Sequence, residues 1–344
     1  MATSRWLKPE GAGLNAWRTG ARALLFIISL CSIFDLASRS VSAEVRRAPR
    51  FWIGGDVHLG SERRGANDPI GGVLPPLIPI LADSGSGPTP SIPPGIINLE
   101  GPIAEMGDDR PAPGLPANAA AALVVLTRAG VALVGVANNH AYDRGDAGLL
   151  ATCQALRAAG LQPIGGPAGW GRLLVGQWTI GVAAIDLSMS PSPSIAHPVL
   201  VEYVRRAHLG CDFLVVTFHE TASAGYRPTP ALRAAVDAAL VAGADVVAAH
   251  GRHTPGPVER RGDAVIAWGL GNLAFQCDCT QESDGLILEI TIIAADSLAA
   301  AVIPVDAGLE GRPARPARDP EGHFRLLEAI GSPTLGRCSH RGTF

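Results

Sequence analysis

The sequence predicts an α/β fold, and three observations carry that reading. Short apolar runs, the length of buried strands, alternate with segments of helical spacing. Capping residues precede the helical segments and glycines follow them. The apolar runs end in imidazole, carboxylate and amide side chains, as strands of a parallel sheet do when they deliver a site beyond their carboxyl ends.

The elements follow in order. Residues 51–55, 95–99, 131–137, 179–185, 213–218, 245–249 and 264–268 read as short buried strands. Residues 286–293 alternate and read as a further strand. Residues 117–129, 146–159, 198–207 and 230–242 read as helices. Asp146 and Thr229 are the expected N-caps, and Gly130, Gly160 and Gly243 close three of the helices. Residues 301–322, rich in Pro, Gly and Arg, are expected to cross the surface before a last short helix at 319–330. Residues 84–94 form a low-complexity loop, and no internal repeat is present.

The N-terminal segment reads as an address. Arg5, Lys8, Arg18 and Arg22 precede the 12-residue apolar run 23–34, and Val41-Ser42-Ala43 supplies a small-residue cleavage pattern. This is the layout of a secretory signal peptide. The run is shorter than the ~20 residues a membrane-spanning helix needs. An uncleaved anchor is the alternative. The expected organisation is a signal over 1–43, a single domain over 44–330 and a tail over 331–344. The expected place is outside the cytoplasm: periplasmic, extracellular or anchored at the cell envelope. The membrane is then met only through the N-terminal segment.

Composition excludes several chemistries. Of 344 residues, Lys8 is the single lysine, and it lies within the signal. A Schiff-base lysine, a phosphate-cradling P-loop lysine and a Ser–Lys dyad are therefore excluded from the mature chain. Net charge is −3, so there is no basic footprint for nucleic acid. Cys153, Cys211, Cys277, Cys279 and Cys338 remain after cleavage. An odd number in an exported chain leaves a free thiol or an intermolecular bond. Arg63, Arg64 and Arg110 read as solvated loop charges, and Trp170, Trp178 and Trp268 as core.

The strand ends carry the chemistry. The first strand runs into Asp56 and His58, the second into Glu100, and the third into Asn138, Asn139 and His140. Later strands run into His219-Glu220, into His250-Gly251-Arg252-His253, and into Gly269-Leu270-Gly271-Asn272. Five of the nine histidines stand at these ends. Mixed carboxylate, imidazole and amide donors suit Mn, Fe, Zn or Mg better than copper or a thiolate-held cluster. A carboxylate can bridge two ions about 3.5–4 Å apart. His140 is placed to serve as a general acid or an orienting group. Arg252 stands at the rim, available to an anionic substrate.

GDVHLG at 55–60, INLEGPI at 97–103, ANNHAYDRG at 137–145, HETASAGYRPTP from His219, GADVVAAHGRH from Gly243 and WGLGNLAF from Trp268 resemble the CapA family. This is the bacterial capsule-synthesis or poly-γ-glutamate biosynthesis family, a branch of the calcineurin-like metallophosphoesterases. The likeness runs over about residues 50–330. It implies a four-layer α/β/β/α sandwich with a metal site at one edge, holding two divalent ions. It implies Asp56, His58, Glu100, Asn139, His219, His250 and His253 as metal ligands, and His140 with Asp143 as the catalytic pair. Tyr226, Glu220 and Arg252 are candidate substrate contacts. Two departures stand out. The family's G-H-H-P-H reads Ala249-His250-Gly251-Arg252-His253 here, so the middle histidine is a glycine. The family's H-W-G-x-E reads His219-Glu220-Thr221-Ala222-Ser223.

Three functions fit these residues. The first is a metal-dependent hydrolase acting on a phosphoester or on an anionic polymer such as poly-γ-glutamate. The second is a non-catalytic accessory protein that holds the polymer for the capsule-synthesis machinery. The third is a metal-dependent enzyme that moves a proton at a peptide α-carbon.

Overall fold

Alternation along the strands decides the architecture. Phe51 and Ile53 face one side of their strand and Trp52 the other; Ile96 and Ile97, Leu133 and Val134, Val215 and Val216, and Val246 and Val247 divide in the same way. A strand apolar on both faces must be covered on both faces. The computed structural model describes residues 48–60, 74, 77–82, 92–103, 114–115, 117–188, 193–221, 225–276, 280, 282–309, 312–338 and 340–344. The expectations for 1–43, Arg63, Arg64, Arg110, Cys277 and Cys279 lie outside them.

The chain runs β1 (Arg50–His58), α1 (Ile78–Leu81), β2 (Gly95–Leu99), α2 (Ala122–Arg128), β3 (Val131–Gly135), α3 (Gly145–Ala158), β4 (Gln162–Ile164), β5 (Gly171–Val175) and β6 (Trp178–Asp186). It continues through α4 (Pro193–His208), β7 (Phe213–His219), α5 (Pro230–Val241), β8 (Val246–His250), β9 (Val258–Arg261), β10 (Ala264–Ala267) and β11 (Asn272–Phe275). It ends with β12 (Asp284–Ala294), β13 (Ser297–Asp306), β14 (Gly308–Leu309), β15 (Arg315–Pro316), α6 (Pro320–Ala329), β16 (Gly336–Cys338) and β17 (Arg341–Thr343). Pro49–Phe344 forms one unit.

The first sheet has the order β16-β17-β13-β12-β1-β2-β3-β4, with β11 parallel to the end of β1. The second has the order β5-β6-β7-β8-β10-β9. Strands β1 to β4 are mutually parallel, and so are β6, β7, β8 and β10. One apolar cluster lies between the sheets, joining Phe51, Ile53, Ile96 and Leu133 to Ile180, Val182, Val215 and Val246. A second packs Val125 and Leu126 of α2 and Leu149 and Leu156 of α3 on the outer face of the first sheet. A third packs Leu200 and Val204 of α4 and Leu232 and Val236 of α5 on the outer face of the second. Burying each such side chain stabilises by about 1.5–3 kcal/mol.

Local signals account for the ends of elements. Thr229 caps α5 through Oγ1, which accepts from Leu232 N at 3.0 Å, and Pro230 fills the first turn. Asp146 falls one residue inside α3 rather than at its cap: the helix starts at Gly145, and the carboxylate meets the positive end of the helix dipole. Three stretches differ from the expectation. Residues 301–306 are strand, not surface crossing, because β13 pairs with β12 along its length. Residues 331–344, read as a tail, return to pair with β13 through β17. β4, β5 and β9 are short or half-polar strands that fill sheet edges. Among the described residues no helix is long and apolar enough to cross a membrane. Among the described residues Cys153, Cys211 and Cys338 form no disulfide with one another.

Candidate metal centre

The parallel strands of both sheets deliver their carboxyl ends to one place. In the first sheet, Asp56 of β1 lies in register with Asn98 of β2 and Asn272 of β11. In the second, Asp186, His219 and His250 lie side by side at the ends of β6, β7 and β8. Asp56, Glu100 and His219 are all buried, and each offers a ligand atom within 4.8 Å of the others.

The two carboxylates are held differently. Asp56 Oδ1 accepts from Asn98 Nδ2 at 2.9 Å, and Oδ2 accepts from Gly251 N at 2.9 Å. His250 Nδ1 stands 3.4 Å from Oδ1, and His253 Nδ1 stands 3.6 Å from Oδ2. Burial works to raise the Asp56 carboxyl, but the His250 contact and the charges of His250, His253 and His219 overcome it and hold it below the usual carboxylate range. Glu100 has no such support. Its Oε2 is buried without a hydrogen-bond partner. Burial, then the charges of Asp56, Asp143 and Asp186, push it well above the usual range. A cation between the carboxylates would remove that conflict.

The imidazoles are oriented as ligands are. His58 Nδ1 lies 3.0 Å from Glu100 O, His253 Nδ1 lies 2.8 Å from Asn272 Oδ1, and His140 Nδ1 lies 2.8 Å from Asp143 Oδ2. Each Nδ1–H facing an oxygen leaves Nε2 as the acceptor nitrogen, the arrangement usual for metal-binding histidines. His253 Nε2 and His140 Nε2 stand 3.8 and 3.9 Å from Glu100 Oε1. Phe275 packs against both His58 and His253, with ring centroids at 5.3 and 4.7 Å. His219 accepts at Nδ1 from Asn98 Nδ2 at 3.3 Å and meets Asn139 Oδ1 through Nε2 at 2.7 Å. Burial, with the charges of His250, His253 and His140, brings its pKa down to about 3 against the opposing pull of Asp56, so it is neutral at pH 7. Neutral imidazole is the metal-binding form.

The remaining expected residues follow, in the chain, the strands that supply this cluster. Glu220 is buried and takes the Thr229 hydroxyl on Oε1, while its Oε2 has no partner. Tyr226 is half-buried beside Arg227. Arg252, read from sequence as a rim cation, is 6% exposed, and its Nη1 and Nη2 donate to Arg227 O and Trp268 O. The backbone turn 251–253 sends this guanidinium into the protein.

Four residues in the same network had no expected role. Asn138 donates from Nδ2 to Asn98 Oδ1 and Leu99 O, and Asn98 passes the link to Asp56 and His219. Asn118 ties Leu59 N to the carbonyls of Glu100 and Gly101. Asp186 adds negative charge facing Glu100. Asn98 and Asn138 carried a signal, since an amide closing an apolar strand is buried and must find partners. Asn118 lies in an irregular stretch and carried none.

The donor set, its place at converging strand ends and the two facing sheets define a candidate metal centre on an α/β fold. The chain belongs to the family described as Bacterial capsule synthesis protein PGA_cap, whose model matches residues 94–169 and 178–277. Asp56 and His58 precede the matched range, and the fold brings Asp56 into the same cluster as Glu100 and His219. Solved structures similar to the chain include a hypothetical protein from Thermus thermophilus, at 16% identity over 74% of this chain and 99% of that one, TM-score 0.46. Another is a putative 5'-nucleotidase from Staphylococcus aureus in complex with alpha-ketoglutarate, at 14% identity and TM-score 0.46. The alignment covers 81% of this chain and 58% of the nucleotidase. No curated protein matches the sequence.

Proposed function

We propose that the protein is an exported, metal-dependent hydrolase of the cell envelope that acts on an anionic polymer or a phosphoester in capsule or poly-γ-glutamate synthesis. One observation carries this reading. Glu100, buried and without a donor on Oε2, stands beside Asp56 and a neutral His219. With both carboxylates ionised beside a neutral imidazole, that set carries two uncompensated negative charges, which a divalent cation would balance.

Asp56, Glu100 and His219 would hold the ion, with His58, Asn139, His250 and His253 around them. A bound divalent metal supplies Lewis-acid charge and a water made acidic enough to attack near neutral pH. The chain's own residues do the rest. Asp143 fixes the His140 ring through Nδ1, so Nε2 faces the carboxylate cluster; there it would take a proton from the attacking water and, as the imidazolium, pass it to a leaving oxygen or nitrogen. Asn98 holds Asp56 and His219 in one orientation. The walls of buried strand residues limit water around the carboxylates.

Metal analysis and turnover test this together. The purified protein is expected to carry at least about one Mn, Fe, Zn or Mg ion per chain, and to cleave a generic phosphodiester or poly-γ-glutamate. Asp56→Ala and His219→Ala are each expected to lower turnover by about 100-fold or more, at or beyond the upper end of what loss of a ligand-orienting group costs. Polymer binding without turnover in the metal-loaded protein would instead identify a holder of the polymer.

A further inference from the structure

We propose that Arg252 is a positioning residue: from behind the site it holds the turn 251–253 that aims the Gly251 N–H and the His253 ring at the two carboxylates. The inference rests on the metal-centre reading above.

The turn is an uphill piece of backbone. Gly251 sits at φ 92° and His253 at φ 59°, and His253 is the one non-glycine residue with positive φ among the described residues. An L-residue held left-handed is strained because its Cβ crowds the following carbonyl oxygen, so something must hold it. Two contacts on the metal side depend on the turn. Gly251 N donates to Asp56 Oδ2 at 2.9 Å, and His253 Nε2 stands 3.8 Å from Glu100 Oε1.

Arg252, between these two residues, is anchored elsewhere. Nη1 donates to Arg227 O at 2.5 Å and Nη2 to Trp268 O at 2.7 Å. One side chain thus joins the loop after β8 to the turn before α5 and to the link between β10 and β11. The guanidinium has a built socket. A Cβ on Gly256 would come within 2.8 Å of Nη2, and a Cβ on Gly269 within 2.9 Å, so neither position admits a larger residue without moving the arginine. Thr254, two residues on, donates its hydroxyl to Gly225 O and ties the same two segments again. The planar fork of arginine reaches two carbonyls on different segments; an ammonium is a point donor and cannot span them in the same way.

The test is a double-mutant cycle read in metal affinity. Mn2+ alone is titrated by calorimetry into the full-length protein, Arg252→Met, His253→Ala and the double variant, with thermal unfolding of each metal-free protein as the folding control. Arg252→Met is expected to weaken Mn2+ binding about 10- to 100-fold, the range typical of groups that orient a metal ligand. The double variant is expected to lose less affinity than the two single losses multiplied, because the His253 contact that Arg252→Met weakens is already gone in His253→Ala. Losses that multiply overturn the proposal, and so does an Arg252→Met affinity within twofold of the parent. If His253→Ala binds too weakly to titrate, the single Arg252→Met affinity decides by the same twofold limit. If Arg252→Met does not fold, Arg252→Lys replaces it with the same expectations. A parent protein that binds no Mn2+ sinks the metal-centre reading, and this inference falls with it.

Discussion

Gly251 stands where the family resemblance leads one to expect a histidine, and the structure gives the reason it stays a glycine. It lies at φ 92°, and a Cβ there would stand 2.8 Å from Glu220 O and 2.8 Å from His219 Nε2. Gly251→Ala therefore meets both a strained backbone and two close atoms. We expect a stability loss of at least about 1–2 kcal/mol from the backbone alone, together with weaker metal binding because the N–H to Asp56 is displaced. Gly251→His, which restores the family's histidine, meets the same two atoms. It is expected to lower metal occupancy, measured by elemental analysis after equal metal loading; a rise in occupancy would show that the turn can relax. The site was only partly legible at this scale. Asp56, Glu100 and His219 could be read as candidate ligands because titratable groups closing apolar strands are buried and need partners. Arg252 was misplaced to the rim because its exposure depends on two left-handed residues beside it, and sequence does not give φ.

At the level of elements, the buried strands were legible and the edges were not. β1, β2, β7 and β8 are runs of aliphatic residues that periodicity finds. β16 and β17 are polar three-residue strands whose existence depends on β13 standing ready to pair. Helix α6 sits on the same side of the molecule and carries a pH-dependent contact to β12. His323 Nε2 stands 3.6 Å from Asp284 Oδ1, and its Nδ1 meets Asp319 O. Burial alone would lower the His323 pKa, but Asp284, Asp319 O and Asp306 outweigh it and raise it above the ordinary 6.5. Asp284 is correspondingly lowered from 3.8, with His323 the largest cause. A histidine raised in the folded state contributes stability that is complete below its unfolded pKa and is lost as pH rises through the folded one. The carboxylate's share appears above its unfolded pKa and is lost as pH falls through the folded one. The pair therefore works from above about pH 4 to just past the His323 value. Asp284 is 43% exposed, so the contribution stays under about 1 kcal/mol. His323→Gln is expected to be less stable than the parent at about pH 5.5 and equal to it at about pH 9, in urea melts at both values. A constant difference across that range would reject the pair.

For the whole molecule, the candidate metal centre is a place where two separately paired sheets meet in polar rather than apolar contact. Asp56 and Glu100 come from the first sheet and its following loop, and His219 from the second. Everywhere else the sheets are joined by the aliphatic cluster between them. An ion that binds only the folded arrangement stabilises the fold by mass action, about 2.7 kcal/mol at a hundred times its Kd. Over a chain of this size that corresponds to a rise of roughly 4 °C in the unfolding midpoint. Mn2+ is expected to give such a rise in the parent, and EDTA to reverse it. Asp56→Ala removes a ligand from one sheet and His219→Ala removes one from the other, so each alone should abolish the rise. If His219→Ala keeps it while Asp56→Ala loses it, the ion belongs to the first sheet alone, and the second sheet then serves the site only as a wall.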